Sequence, residues 1–171
     1  MPSSGPTFAD LLAGCDNGAI HLEMRDTYAP TERLKAWRRG ERINWADRAS
    51  WWHPYDQTIA DAVARGVIIR RARIVSEPVS EYIRWEHYVT RELIEAGEQV
   101  GWLPRRHTTD LPLPGNDFWL FDGQLARVHH FDGDGALVDD EFSEDPAVLK
   151  HLSAAFEAVW ERAVPHETYR I

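Results

Sequence analysis

The eleven residues Leu113–Gly123, Leu-Pro-Gly-Asn-Asp-Phe-Trp-Leu-Phe-Asp-Gly, constrain this chain more than any other stretch. Gly115-Asn116-Asp117 suits a sharp turn, because glycine tolerates positive φ and Asn and Asp bond their own backbone. Phe118–Phe121 then reads as a buried strand that ends at an Asp122-Gly123 hairpin turn. Such a strand needs a sheet with cover, and the rest of the chain supplies the pieces.

Upstream, Thr7 caps a short helix that turns Phe8, Leu11 and Leu12 inward. Ile20, Leu22 and Met24 alternate with His21, Glu23 and Arg25, the period of a strand with one ionisable face. Thr31 caps a short helix ended by Gly40, and Pro54 opens another that runs through Arg65. Val67–Val75 is a strand bearing Arg70, Arg71 and Arg73. Ser80 caps the longest helix, which Gly97 ends, and Gln99–Leu103 is a short strand. Pro104–Gly115 is an irregular connection of functional length. Three strands, Asp117–Phe121, Leu125–Phe131 and Ala136–Phe142, are separated by hairpin signals, and Asp145-Pro146 caps a terminal helix.

The expected fold class is therefore α/β (α+β), a single mixed or antiparallel sheet flanked by helices. We expect one domain over 1–171, with 1–66 as a helical and strand portion and 67–171 as a β-α-β-β-β-β-α unit.

The net charge of −9 is uneven. From residue 111 onward there are 12 acids and 4 bases against 16 and 15 before it, so an acidic last third disfavours direct nucleic-acid binding. No apolar run is long enough to span a bilayer, and Met1–Thr7 lacks the pattern of a signal peptide, which points to a cytoplasmic protein with no membrane partner. A lone cysteine, Cys15, reads as an inert packed thiol.

Several groups could carry chemistry. His21, Glu23 and Arg25 share one strand face and could bind an anion or move a proton, although a solvated sheet face needs the same pattern. Arg73 lies on the neighbouring basic strand. Glu77, Glu81 and Arg84 flank the start of the long helix, where its dipole favours a carboxylate. Trp45 and Trp52 lie in an irregular, arginine-containing run that could wall a pocket or a partner seam, and Asn116 and Asp117 occupy the turn before the buried strand. His129 and His130 are adjacent and face opposite sides of a strand, so no metal is expected there. Asp132-Gly-Asp-Gly is a turn, since the oxygen ligands of a calcium loop do not follow it. No serine-nucleophile elbow, phosphate loop, dinucleotide fingerprint or Cys-x-x-Cys occurs, so neither catalytic residues nor cofactors are assigned.

Ser76-Glu-Pro-Val-Ser-Glu-Tyr-Ile-Arg-Trp-Glu86, Leu103-Pro-Arg105, Pro114–Asp122, His21–Asp26 and Ala155–Trp160 with Pro165-His166 together resemble an actinobacterial family called domain of unknown function 6879. That resemblance implies no activity, but it implies a setting beside helix-turn-helix transcription regulators. The strand and helix order from Val67 to Phe131 more distantly resembles one half of a phospholipase D-like domain. Aligning the Asp of that class's His-x-Lys-x4-Asp with Asp122 puts Gly115 at the histidine and Asp117 at the lysine, so the resemblance implies that its chemistry is lost.

The expected function is a non-catalytic regulatory or interaction domain that binds a protein partner, such as a helix-turn-helix regulator, a small ligand, or a second copy as a homodimer. The alternative is an enzyme or small-molecule-binding protein with a polar pocket around His21, Glu23, Arg25 and Glu81.

Overall fold

A computed structural model describes residues 5–171. The reading of Met1–Thr7 lies, for residues 1–4, outside the described residues. The fold is mixed α/β, built on one seven-stranded mixed sheet flanked by helices and not closed into a barrel.

Helix α1 (Phe8–Ala13) leads to strand β1 (Gly18–Glu23). Helices α2 (Glu32–Arg38), α3 (Arg48–Trp51) and α4 (Pro54–Ala64) cross over to β2 (Ile68–Val75). Helix α5 (Glu81–Ala96) crosses to β3 (Gln99–Pro104). Both crossovers join parallel neighbours, which a tight turn could not do. Strands β4 (Phe118–Phe121), β5 (Leu125–Phe131) and β6 (Leu137–Ser143) form an antiparallel meander on the other side of β1. After α6 (Pro146–Arg162), a short strand β7 (Val164–Pro165) pairs with β3. The resulting strand order is β6-β5-β4-β1-β2-β3-β7.

Alternation along the strands sorts side chains between two apolar layers. On one face Ala19, Ile69, Trp119 and Phe121 pack against Leu11 and Leu12 of α1 and Ile59 and Ala62 of α4. Ile20, Leu22, Ile74, Phe118 and Leu120 point the other way, onto Leu152, Phe156 and Val159 of α6. Burying each of these large side chains contributes roughly 1.5–3 kcal/mol.

Local signals in the sequence set the boundaries of these elements. The Thr7, Thr31, Ser80 and Asp145 side chains each accept a backbone N–H in the first turn of the helix they precede. Gly97, at φ +100°, ends α5 in a conformation that an L side chain resists. Asp122 (φ +49°) and Gly123 (φ +67°) make the β4–β5 turn. The Asp122 carboxylate also accepts the backbone N–H groups of Asp16, Asn17 and Gly18 at 2.8–2.9 Å, which fastens this hairpin to the start of β1.

The expected strand at β1 stops short of Arg25. The run between Trp45 and Pro54 contains α3, which its sequence did not announce, and β7 has no sequence signature.

Candidate functional site

The parallel register sets His21 beside Arg71 and Glu23 beside Arg73. All four point toward α5 and α4, so the ionisable face of β1 is not the solvated surface its alternation allowed. His21, Arg71 and Arg73 are buried, and the Glu23 side chain is 12% exposed. Burial of charge requires pairing, and the pairs are present. Arg71 bonds one Glu23 oxygen at 2.6 Å, Glu98 of the α5–β3 turn, and the Tyr55 hydroxyl. Arg73 bonds the other Glu23 oxygen at 2.7 Å and the Thr90 hydroxyl, lies 3.4 Å from Glu86, and stacks its guanidinium over Trp102.

Beside this network a cavity of about 320 Å³ opens to solvent. Its inner wall carries His21, Glu23, Glu86 and Asp117. Tyr28 from the β1–α2 loop, Tyr82 of α5, and His129 and Phe131 of β5 form aromatic sides, and Gly135 of the β5–β6 turn and Leu137 at the start of β6 form the rim. The Tyr28 ring sits 5.4 Å from Tyr82 and 5.2 Å from Phe131, in tilted and edge-on arrangements. A backbone hydrogen bond, Ala29 N–H to the Gly135 carbonyl at 2.9 Å, ties the loop to the rim.

The electrostatics of this wall are unbalanced. Burial opposes ionisation of Glu23 but is outweighed by Arg73 and Arg71, and its pKa is held well below the usual carboxylate range. Glu86 shifts upward because its burial exceeds what Arg73 offsets, with Glu23 adding repulsion. Asp117, 3% exposed, accepts the Met24 N–H at 2.9 Å and the Tyr28 hydroxyl. Burial still pushes its pKa to about 6, and Glu23 adds to the rise. His21 is kept neutral by burial and by Arg71, its ring stacks on Trp119 at 4.3 Å, and its Nδ1 lies 3.6 Å from Glu23 Oε1 without a hydrogen bond. His129 bonds Asp140 at 2.6 Å.

Of the residues singled out from sequence, His21, Glu23, Arg73 and Asp117 converge here. Arg25 lies past the end of β1 and packs on Tyr28 and Phe131 without lining the cavity. Exposed Glu81 pairs with Arg38 at 2.6 Å, exposed Glu77 accepts the Tyr169 hydroxyl, and Arg84 and Asn116 are exposed, so none of these four joins the cluster. Trp45 packs on Trp51 and Tyr88 under the Arg91 guanidinium, and Trp52 lies beneath Arg48. A hollow of about 160 Å³ nearby is lined by Trp37, Arg42, Trp85 and Tyr88, not by Trp45 or Trp52.

Sequence reasoning did not select Tyr28, Tyr82, His129 or Arg71, and it set Glu86 beside Glu77, Glu81 and Arg84 on the long helix without choosing it. Glu86 had a usable signal, since it stands three residues after Ile83 and four before Thr90, on the buried stripe of α5. Tyr28 had none, because loop geometry alone brings it in.

Larger hollows of about 400, 520 and 550 Å³ lie beside β3 and α6, below β1 and β2, and at the β6 edge. None of them gathers a comparable set of buried ionisable groups. Among the described residues no His, Cys, Asp and Glu group is arranged to hold a metal ion, and no helix is long and apolar enough to cross a membrane.

A family model described as "Domain of unknown function (DUF6879)" matches residues 6–171. No curated protein matches the chain. Among solved structures, one is described as "Structure of TrmBL2, an archaeal chromatin protein, shows a novel mode of DNA binding". It is 12% identical, with a TM-score of 0.49, over 91% of this chain and 47% of that one. The chain thus spans about half the length of that protein. The sequence expectation that disfavoured direct nucleic-acid binding is withdrawn at this point, since net charge summed over part of a chain does not exclude a local basic surface. An acidic last third is no ground for excluding nucleic acid, and a likeness at this level assigns no ligand to this chain.

Proposed function

The chain belongs to the DUF6879 family, and from that premise we propose that it is a non-catalytic regulatory domain whose signal is the binding of a small ligand in the cavity beside Glu23, Glu86 and Asp117. One observation carries this reading. Four ionisable groups shielded from solvent, His21 and Glu23 of β1, Glu86 of α5 and Asp117 of the turn before β4, meet at an open, aromatic-sided cavity of about 320 Å³, within the size range of small-molecule sites.

Binding fits these groups better than catalysis does. Glu23 is locked between two guanidinium groups, so it is a poor proton acceptor. The one thiol, Cys15, is buried among α1, α4 and the sheet, and burial pushes its pKa up to about 11. An enzyme built on His21, Glu23, Arg25 and Glu81 would need groups that stand apart here. The phospholipase D-like relation enters only as an analogy of fold, and no phosphoryl transfer is assigned.

A thermal-shift panel of small amines, acids, alcohols and sugars tests the proposal, with Leu137→Trp as the blocked control. Leu137 is 51% exposed at the rim, so a larger side chain there covers the mouth at little cost to the core. A ligand at ~100 times its Kd stabilises by about 2.7 kcal/mol, which raises Tm by roughly 5–10 °C in a chain of this size. The reading expects at least one compound to do so in the wild type and not in the control. A panel whose every hit acts equally on both proteins contradicts it.

A further inference from the structure

We propose that the ligand is an organic cation, a protonated amine carrying an apolar body, with its ammonium group against Glu86 and Asp117 and its body between Tyr28, Tyr82 and Phe131. This rests on the ligand-binding reading above and adds the chemical class.

Charge is the first argument. The buried network holds two cations, Arg71 and Arg73, and four carboxyl groups, Glu23, Glu86, Glu98 and Asp117. The two guanidinium groups are taken up by Glu98 and by both oxygens of Glu23. Glu86 is left with one looser approach, 3.4 Å from Arg73. Asp117 is bonded by neutral donors, the Met24 N–H and the Tyr28 hydroxyl, with Arg25 the cation it feels from beyond the cavity. The wall therefore lacks positive charge where it meets the open space, and a buried charge without a partner is costly.

A second, independent observation concerns His21. It lines the cavity at 7% exposure, and its ring forms no hydrogen bond, Nδ1 standing 3.6 Å from Glu23 Oε1, too far for one. A neutral imidazole has one acceptor nitrogen to offer a donor, and an ammonium group carries three N–H donors.

The aromatic sides agree with both. Three rings present π faces and edges around the cavity, and this group already holds one cation, since the Arg25 guanidinium lies 5.2 Å from the Phe131 centroid and 5.9 Å from that of Tyr28. An anion would add a further negative charge to an uncompensated pair. A hydrated divalent ion would leave the rings without a partner. The cavity volume suits a single ring bearing an aminomethyl group.

Three compounds of one shape separate the charge states: benzylammonium, benzyl alcohol and benzoate, each titrated at pH 7.5 into the full chain by amide NMR to millimolar concentration. The proposal expects benzylammonium to bind about tenfold or more tightly than benzyl alcohol, a difference of 1.4 kcal/mol, with benzoate weakest. It also expects Leu137→Trp to abolish the shifts. In Glu86→Gln or Asp117→Asn the preference for the cation over the alcohol should fall to about threefold or less while alcohol binding persists. Either variant suffices if the other does not fold. Alcohol or benzoate binding as tightly as the cation overturns the assignment and leaves the ligand-binding reading standing. Cation binding that survives Leu137→Trp also overturns it, as attraction to an acidic surface. Silence from all three overturns the cation, and the thermal-shift panel then decides the wider reading separately.

Discussion

At the scale of the residue, the site opposes two carboxylates with different burdens. Asp117 titrates near 6 in the fold against 3.8 in an unfolded chain. A carboxyl raised in this way is favoured in its protonated form, so it costs nothing below pH 4 and destabilises progressively as pH rises through 6. The shift of about two units corresponds to ~3 kcal/mol at pH 8. We predict that Asp117→Asn matches the wild type in urea unfolding at pH 4 and exceeds it by about 1–3 kcal/mol at pH 8, and a constant difference across that range would refute the assignment. Glu23 has the opposite sign, since its lowered pKa supplies stability that is present above the unfolded value of 4.5 and is lost as pH falls. Its partner Arg73 cannot be removed cheaply. Arg73→Met leaves Glu23 and Glu86 buried with less compensation and should cost about 3–5 kcal/mol, while the Glu23→Gln, Arg73→Met double variant should recover part of that. Denaturant midpoints on the four proteins give the coupling directly. Little of this was visible in the sequence. Alternation placed His21 and Glu23 on one face, but the same alternation describes a wet sheet, and only the parallel register with β2 decides between the two.

Among the elements, legibility followed the locality of the signal. Thr7, Thr31, Ser80 and Asp145 announced their helices because a cap is a contact between residues two or three apart. The Asp122-Gly123 hairpin was equally local, although the grip of Asp122 on residues 16–18 was not. Strand β7 exists only through its pairing with β3, and α3 is a single turn held among tryptophans, so neither left a pattern to read. Helix α5 is the element that carries the site. It presents Tyr82 and Glu86 to the cavity and Thr90 to Arg73, and its end is fixed by Gly97. A Cβ at that position would need φ of +100° and would meet Val63 of α4 at 3.0 Å. Gly97→Ala should therefore cost about 1–2 kcal/mol in thermal or urea unfolding, whereas Gly133→Ala, in an open turn with nothing near its Cβ position, should change stability by less than about 0.5 kcal/mol. Equal effects at the two positions would contradict the close α4–α5 packing.

At the scale of the whole molecule, the expected sheet flanked by helices is present, and its mixed order explains where the site falls. The parallel half supplies the ion network through β1 and β2, the antiparallel meander supplies Asp117, His129 and Phe131, and the cavity lies between the meander and α5. That convergence joins residues from position 21 to position 137, and no spacing rule in a single sequence reports it. Glu81, Arg84 and Asn116 carried chemical promise in sequence and stand on the surface, because helix and turn positions one or two residues from the buried stripe face solvent. A crystallographic soak with aromatic amines and their neutral isosteres tests the central claim most directly, because it shows where on the molecule a small ligand settles. The account predicts density in the cavity between Tyr28, Tyr82 and Phe131, with an amine nitrogen within hydrogen-bond distance of Glu86 or Asp117. Compounds that settle instead in the hollow beside Gly101 and Trp160, or nowhere in the Glu86–Asp117 cavity, would contradict it.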